Sequence, residues 1–270
     1  MLTFVATIFI PPALTATQLT PAGIAYTPRV STCPLGTTLV RSAGVSHQTL
    51  SHGEKAYVSS RRTKVLPAAW SAYYSTVEQS AANQRAVLPE YVREVLCSVE
   101  NTPTLGIAAS GGGYRAAFFD AGILNALDGR NTTSIAAGTG GLLQATSYIT
   151  GLSAGAWLLT SLAQAGFPTI PSLIFGLDSS NTSNSFGGFL TQFGLFEASD
   201  GSNATEDNAY VKTLLGEVAG KAATGLHVTI TDFWARGLSR HFVNGTNATN
   251  FLDPNITHGA GETFSSLIDL

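Results

Sequence analysis

Charged side chains are scarce in this sequence. Only 11% of its 270 residues are Asp, Glu, Lys or Arg, and the formal net charge at pH 7 is −3. A protein that binds nucleic acid through its phosphates needs a concentrated basic face, which this chain does not provide. No nucleic-acid partner is therefore predicted. With 44% hydrophobic residues the chain can bury a sizeable core, and nothing in it marks a linker between two domains.

Cysteine and histidine are also few, which limits the available chemistry. The two cysteines and five histidines form no metal-binding constellation, so neither a metal nor another cofactor is predicted, and His47 and His52 are expected at the surface. A disulfide between Cys33 and Cys97 would close a loop of roughly 64 residues and contribute about 4 kcal/mol. The alternative places Cys97 in the core and pairs Cys33 with a cysteine outside this chain. Neither cysteine is expected to be a nucleophile.

The apolar run at the N-terminus is too short to span a bilayer. Residues 1–16 break at Pro11-Pro12 and end in small residues, which is the outline of a signal peptide without the usual positive n-region. Asn-x-Ser/Thr acceptors support secretion, because glycans would supply the solubility that charged side chains do not. The six acceptors are Asn131, Asn181, Asn203, Asn244, Asn247 and Asn255. From the signal-peptide outline and these acceptors together, the protein is expected to be secreted or associated with the cell surface or wall.

A Gly-x-Ser-x-Gly motif occupies residues 151–155. The segment before it, 146–152, is predicted as a strand, and the segment 154–165 as a helix. In such a motif the serine lies at a sharp strand-to-helix turn, its hydroxyl exposed and the next backbone N–H free to point at an oxyanion. The flanking glycines make room for the turn because they lack a Cβ. Ser153 is therefore the candidate nucleophile.

A glycine run, Ser110-Gly111-Gly112-Gly113, precedes this motif in the chain. It is predicted to join a short buried strand over 104–109 to a helix over 114–127. N–H groups at the start of a helix lack an intrahelical partner and can bind an anion. The N–H groups of Gly112, Gly113 and Ala154 are the candidate oxyanion hole, in which one donor lowers the barrier by about 3 kcal/mol.

The two motifs resemble the signatures of the fungal lysophospholipase/phospholipase B family, relatives of the catalytic domain of cytosolic phospholipase A2. The similar segments are 110–116, 151–157, 26–34, 39–41 and 231–239, so the resemblance covers nearly the whole chain after residue 16. One departure is Ala154, where the family usually has glycine. The added methyl group crowds the turn but leaves the backbone N–H in place.

The resemblance implies an α/β fold with a three-layer α/β/α core similar to patatin and cytosolic phospholipase A2, covering residues 17–270 and incomplete at the C-terminus. It implies hydrolysis of acyl esters in phospholipids or lysophospholipids, at a lipid aggregate or membrane surface. Family members use a Ser/Asp dyad whose aspartate lies in a downstream Asp-Gly-Gly motif. No Asp-Gly-Gly occurs here, so the chain is expected to be the N-terminal portion of a longer catalytic domain or a truncated gene product.

Arg115 follows the glycine run, in the first turn of the predicted helix. Its guanidinium offers a planar fork of donors that suits a phosphate. The resemblance implies that it holds the phospholipid head group. The structural alternative is a buried ion pair that ties the loop to the domain.

Two other functions remain open from the sequence. Asp232 followed by His241 or His258 has the chain order of a Ser-His-Asp α/β-hydrolase, which would supply a base within the chain. A chain without the dyad aspartate would instead be an inactive secreted glycoprotein, with exposed strand edges that favour aggregation.

Periodicity outside the two motifs predicts mostly helices. These span 68–77, 89–98, 207–223 and 231–242, with a short strand over 227–231 and an extended wrap over 17–60. The apolar face of 89–98, formed by Tyr91, Val92, Val95 and Leu96, is expected to pack. Segments with scattered Phe between 167 and 201 favour either a lipid-facing lid or a packed excursion of the core.

Overall fold

The chain is described by a computed structural model that covers residues 27–28, 32, 36, 49–98, 101–176, 188–198 and 203–242. The described residues pack as two compact units, one within residues 49–171 and the other mainly within residues 172–242. The predicted signal peptide, Cys33 and His258 lie outside the described residues. No helix in the described ranges is long and apolar enough to cross a membrane.

The first unit begins with three helices. Helix α1 spans His52–Ser60 and runs through a π-helical turn, Arg61–Val65, into α2, Leu66–Asn83, while α3 spans Glu90–Leu96. The predicted extended wrap is wrong at its C-terminal end, where α1 forms. The physical reason is a helix cap, because Ser51 Oγ accepts a hydrogen bond from the N–H of Glu54 at 3.1 Å.

Helix α3 forms where the helix over 89–98 was predicted, but most of its apolar face is at the surface. Tyr91 is 65% exposed and Val95 is 41% exposed, so the expectation that they pack is wrong. Val92 and Leu96 are half-buried, and Leu96 lies against buried Leu66 and Trp70.

Two parallel strands form the sheet of the described residues, β1 over Leu105–Ala109 and β2 over Thr146–Gly151. Their register pairs Ala109 with Gly151, so both strands end at the same edge. Ligands of open α/β sheets bind outside the carboxyl ends of the strands. The glycine run and Ser153 follow directly at that edge.

Helices alternate with the strands, as in an α/β protein. Helix α4 spans Tyr114–Leu127, α5 spans Thr132–Ala137 and α6 spans Ala154–Gln164. Helix α6 packs on both strands and on α4. Small buried side chains, including Ala117, Ala121 and Ala154, line these helices and let them approach closely. The mixed helices and parallel strands confirm the predicted α/β class.

The outer side of β2 is held by two side chains from the first helices. Tyr57 Oη donates to the carbonyl of Ser147 at 2.6 Å. The guanidinium of buried Arg61 donates to the carbonyls of Gln144 and Thr146 at 2.9 and 2.8 Å. These bonds satisfy backbone carbonyls that would otherwise be buried without a donor.

The second unit is helical in its described part. Helix α7, Ile170–Phe175, leads into it, and α8, Ala204–Ala223, packs against α9, Ile230–Phe242. Two phenylalanines of the preceding segment are part of this packing: Phe196 stacks on Phe233 at 5.0 Å and Phe189 meets Phe242 at 4.8 Å. The packed interpretation holds for Phe189, which is 6% exposed, whereas Phe196 is 39% exposed.

The strand predicted over 227–231 does not form, so that prediction is wrong: Thr229 makes only an isolated bridge, and helix α9 already begins at Ile230. The N–H and hydroxyl of Thr229 donate to Asp232 Oδ2 at 2.9 and 3.1 Å. A carboxylate at the third position of a helix that accepts a hydrogen bond from the N–H of the capping residue fixes the helix start. The β-branched residues beside it therefore enter a helix.

Candidate active site

Ser153 lies in a strained backbone conformation between β2 and α6. Its φ is 51° and its ψ is −117°, and the residue is exposed. Such conformations cost free energy for a residue with a Cβ and persist only where the surroundings hold them. This is the strand-turn-helix context that a nucleophilic serine in a Gly-x-Ser-x-Gly motif requires.

Close backbone contacts hold this turn against the end of β1. The N–H of Leu152 donates to Ala109 O at 3.0 Å and the N–H of Gly155 donates to Ser110 O at 3.2 Å. A Cβ on Gly155 would lie 2.6 Å from Ala109 O, and one on Gly151 would lie 2.6 Å from the carbonyl carbon of Gly155. Both glycines of the motif are therefore required by packing.

The glycine run lies directly against the serine. A Cβ on Gly111 would be 2.9 Å from Ser153 Cβ and 3.6 Å from Ser153 Oγ. Gly112 and Gly113 have φ of 145° and 72°, where a side chain would be strained. The carbonyl of Gly113 then accepts the first hydrogen bonds of α4. The glycine run and the Gly-x-Ser-x-Gly motif, which have residues 114–150 between them in the sequence, thus meet in one place.

The sequence could not tell which glycine of the run touches the serine. The run itself was the signal, and the structure identifies Gly111 as the contact. The sequence did not indicate that Tyr57 and Arg61 contact β2.

The candidate oxyanion donors lie at two helix starts. Gly112 and Gly113 precede α4, and Ala154 is the first residue of α6. The first N–H groups of a helix have no intrahelical acceptor. Ser153 Oγ makes no hydrogen bond with the residues that the structure describes, so none of them is placed as its general base.

Arg115 is the second residue of α4 and is exposed. It forms no ion pair within the described part of the chain, so the buried ion pair considered from the sequence is not observed. Its guanidinium is open to a ligand one turn from the glycine run.

Asp232 and His241 do not form a catalytic pair. Asp232 Oδ1 accepts from Lys221 Nζ at 2.5 Å. His241 is buried, and its two ring nitrogens contact the carbonyls of Gly237 and Gly194 at 2.9 and 3.2 Å. Both nitrogens of His241 are thus turned away from Asp232, and the Ser-His-Asp alternative has no support from this pair.

Other candidate residues are only partly described. Asn131 and Asn203 each precede a helix and cap it, whereas the acceptors Asn181, Asn244, Asn247 and Asn255 lie outside the described residues. Cys97 is a free thiol of intermediate exposure. His52 is exposed at the start of α1, and His47 is among the residues not described. Within the described ranges no three His, Cys, Asp or Glu residues are grouped for a metal ion.

A serine at a strained strand-to-helix turn, faced by a glycine-rich helix start on a parallel sheet, is the arrangement of the serine hydrolases of the α/β class. The family model for the lysophospholipase catalytic domain matches residues 105–258, which hold the whole of this arrangement. The chain belongs to that family.

Individual relatives agree with the family. Over 225 residues the chain is 33% identical to lysophospholipase 1 of Aspergillus fumigatus, a match that covers 82% of this chain and 33% of the relative. Lysophospholipase 2 of the same species is 32% identical over 247 residues, which cover 90% and 37%. Lysophospholipase 2 of Candida glabrata is 34% identical over 255 residues, which cover 90% and 32%. The chain spans about a third of the length of these relatives, and no solved structure matches it.

Proposed function

We propose that this chain carries the nucleophile and oxyanion hole of a lysophospholipase of the phospholipase B type, which hydrolyses acyl ester bonds of phospholipids and lysophospholipids. The observation that carries the proposal is the position of Ser153, held at a φ of 51° with Gly111 packed against it. Membership of the lysophospholipase catalytic-domain family supports the same reaction.

In the proposed reaction Ser153 Oγ attacks the ester carbonyl carbon and its proton passes to a general base. The carbonyl oxygen becomes an oxyanion, which the N–H groups of Gly112, Gly113 and Ala154 stabilise by about 3 kcal/mol per donor. Collapse breaks the bond to the glycerol oxygen, which leaves with a proton, and an acyl-serine remains. Water then attacks the acyl-serine and releases the fatty acid.

The base in this proposal is the aspartate of a Ser/Asp dyad, as the family resemblance implies. It is assigned to no described residue. A carboxylate that accepts the serine proton directly needs no histidine, which agrees with the engagement of both His241 nitrogens elsewhere.

Arg115 is proposed to bind the phosphate of the lipid. It is exposed, in the first turn of the helix that follows the oxyanion loop, and a guanidinium can donate two parallel hydrogen bonds to one phosphate. The substrate would be presented by a lipid aggregate or membrane surface. Residues 1–16 and the six glycosylation acceptors support a secreted or cell-surface location.

A fluorophosphonate probe tests the proposal, because it reacts only with an activated serine. We expect labelling of the protein to be lost in Ser153→Ala and kept in Ser71→Ala, which changes an exposed serine of α2. Fatty acid release from lysophosphatidylcholine should disappear with the same variant. A wild-type chain that takes up no label would favour the inactive glycoprotein, and a label on a serine other than Ser153 would refute the assignment.

A further inference from the structure

A cavity lies in the first unit, beside the end of α4 and the start of α5. Its volume is about 510 Å³, within the range of roughly 300–1,000 Å³ that small-molecule sites occupy. Amide, hydroxyl and ring groups line it, from Asn125, Asn131, Thr132, Thr133, Thr169 and Pro171. None of these residues belongs to the proposed catalytic machinery.

The charged residues of the wall are already paired with each other. Arg130 binds both carboxylate oxygens of Asp128 at 2.8 to 3.0 Å, and Gln144 donates to the same carboxylate at 2.8 Å. The guanidinium also donates to the carbonyls of Phe167 and Pro168. Because no charge is left without a counter-charge, the cavity suits a neutral polar ligand better than an ion.

Asn131 opens the sequon Asn131-Thr132-Thr133 and forms part of the cavity wall. Its Oδ1 accepts from the N–H of Thr133 at 3.0 Å, and its Nδ2 donates to the carbonyl of Asn125 at 3.2 Å. An amide nitrogen carries two hydrogens. Substitution of one by a sugar leaves the other for Asn125, so both hydrogen bonds survive modification.

We infer that this cavity is the seat of the N-linked glycan of Asn131, whose first N-acetylglucosamine residues lie in it. The hydroxyl and acetamido groups of the sugar match the Asn and Thr side chains, and the ring of Pro171 offers an apolar surface for the face of the sugar ring. The inference rests on the secreted location proposed above. The glycan would then be an internal packing element, and not only a solubilising surface group.

The modification requires a polyprenyl diphosphate-linked oligosaccharide as donor. The Nδ2 of Asn131 forms a bond to C1 of the first N-acetylglucosamine and loses one proton. The bond from C1 to the diphosphate oxygen breaks, and the diphosphate leaves with the electron pair. Atoms and electrons balance without an oxidant or reductant.

Asn203 provides a matched comparison within the same chain. It also opens an Asn-x-Thr sequon and caps a helix, since its Oδ1 accepts from the N–H groups of Thr205 and Glu206 at 3.0 and 3.2 Å. Asn203 is exposed, whereas Asn131 is partly buried. A glycan on Asn203 is therefore expected to extend into solvent.

The test measures how fast a peptide-N-glycosidase removes each glycan from the native protein, secreted by a eukaryotic host and followed by mass spectrometry of the two peptides. We expect release from Asn131 to be at least tenfold slower than release from Asn203, and the two rates to become equal after denaturation. An unmodified Asn131, or a glycan released as fast as that of Asn203, would overturn the inference.

Variants of the sequon threonines separate the contribution of the glycan to stability from that of the helix cap. Thr133→Ala removes the acceptor sequon but keeps Asn131 as the cap, and it should lower the unfolding midpoint by about 3 °C. Thr205→Ala should leave the midpoint unchanged, and Thr133→Ser should keep both glycan and midpoint. An equal midpoint in Thr133→Ala and Thr205→Ala would contradict a packed glycan. Fluorophosphonate labelling of Ser153 is measured separately. Absence of labelling in the wild-type protein would contradict the proposed hydrolase activity but not the proposed position of the glycan.

Discussion

Ser153 and the residues around it show how single atoms fix the proposed site. Ala109 O accepts a hydrogen bond from Leu152 and also forms the wall that excludes a side chain at Gly155. The strained φ of Ser153 persists because the close packing of Gly155 against Ala109 leaves the following turn no room to relax. The reactivity proposed for Ser153 therefore depends on small residues that perform no chemistry.

Gly111→Ala tests this dependence. The added Cβ would lie 2.9 Å from Ser153 Cβ and 3.3 Å from Leu152 O, so either the loop or the serine must shift. A displacement of about 1 Å at a reacting group can cost about a hundredfold in rate. We expect fluorophosphonate labelling to slow by about that factor. Gly122→Ala is the control, since a Cβ there meets nothing within 4 Å on helix α4, and an unchanged rate in Gly111→Ala would contradict the packed site.

Arg115→Gln tests the phosphate-binding role. A hydrogen bond to a charged group contributes about 1.5–3 kcal/mol, so kcat/KM for lysophosphatidylcholine should fall by roughly ten- to a hundredfold. Hydrolysis of a short neutral ester, which has no phosphate, should be unaffected. If both substrates lose activity equally, Arg115 acts on the structure of the loop and not on the head group.

At the scale of the elements, prediction succeeded where the chain carries its own start and stop signals. Helix α4 lies between Gly113 and Asp128 and spans the predicted residues 114–127. The observed ends of β2 and α6 agree with the predicted ends to within one residue. Their meeting at one sheet edge followed from parallel pairing. The positions of the amide donors and of the base could not be predicted in this way, because the sequence does not fix distances across a loop.

Prediction failed where a side-chain cap overrode the local pattern. The Ser/Thr-rich composition before residue 60 favoured an extended wrap, although Ser51 and Glu54 are the residues of a helix start. The β-branched run near residue 230 favoured a strand, although Thr229 and Asp232 cap a helix there. The apolar face of α3 is exposed because periodicity shows which residues share a face but not what covers it.

Arg61→Met tests how far β2 depends on the first helices. Arg61 is 3% exposed and donates to the carbonyls of Gln144 and Thr146. Each buried carbonyl left without a donor costs about 1–3 kcal/mol, and we expect the free energy of unfolding to fall by at least 2 kcal/mol. Lys64→Ala, in the same π-helical turn but exposed, should have no effect. Similar unfolding curves for both variants would show that β2 does not need this contact.

Asp128 makes the end of α4 sensitive to acid. Burial alone would raise the pKa of Asp128, but hydrogen bonds from Arg130 and Gln144 outweigh it and the pKa is lowered. A lowered pKa stabilises the folded protein above the unfolded-state pKa, about 3.9, and this contribution is lost as pH falls through the folded pKa. Asp128→Asn should thus have a lower free energy of unfolding than wild type at pH 7. Between pH 7 and pH 3 its free energy of unfolding should fall by less than that of wild type. Chemical denaturation at both pH values measures these free energies, and an equal fall in the two proteins would contradict the prediction.

At the scale of the whole molecule, the chain folds as two compact units although its sequence marks no linker. The proposed nucleophile and glycine run lie in the first unit, whereas Asp232 and His241 lie in the second. The second unit has its own polar core, in which buried Glu217 pairs with Arg236 and Arg240. Both arginines are partly exposed, and their contacts with Glu217 connect helix α9 to helix α8.

His241→Ala tests whether His241 takes part in activating Ser153. His241 is 2% exposed and its ring contacts the carbonyls of Gly237 and Gly194, so its loss leaves a cavity and removes both side-chain contacts, although Gly194 O still accepts from the N–H of Glu197. We expect the unfolding free energy to fall by about 2–4 kcal/mol. Labelling of Ser153, measured well below the unfolding midpoint, should keep the wild-type rate, as should the exposed control His227→Ala. Because the alanine variant can lose its fold, His241→Gln is measured beside it. A folded variant of either kind that no longer labels would show that a histidine activates Ser153, and the Ser/Asp dyad would then be abandoned.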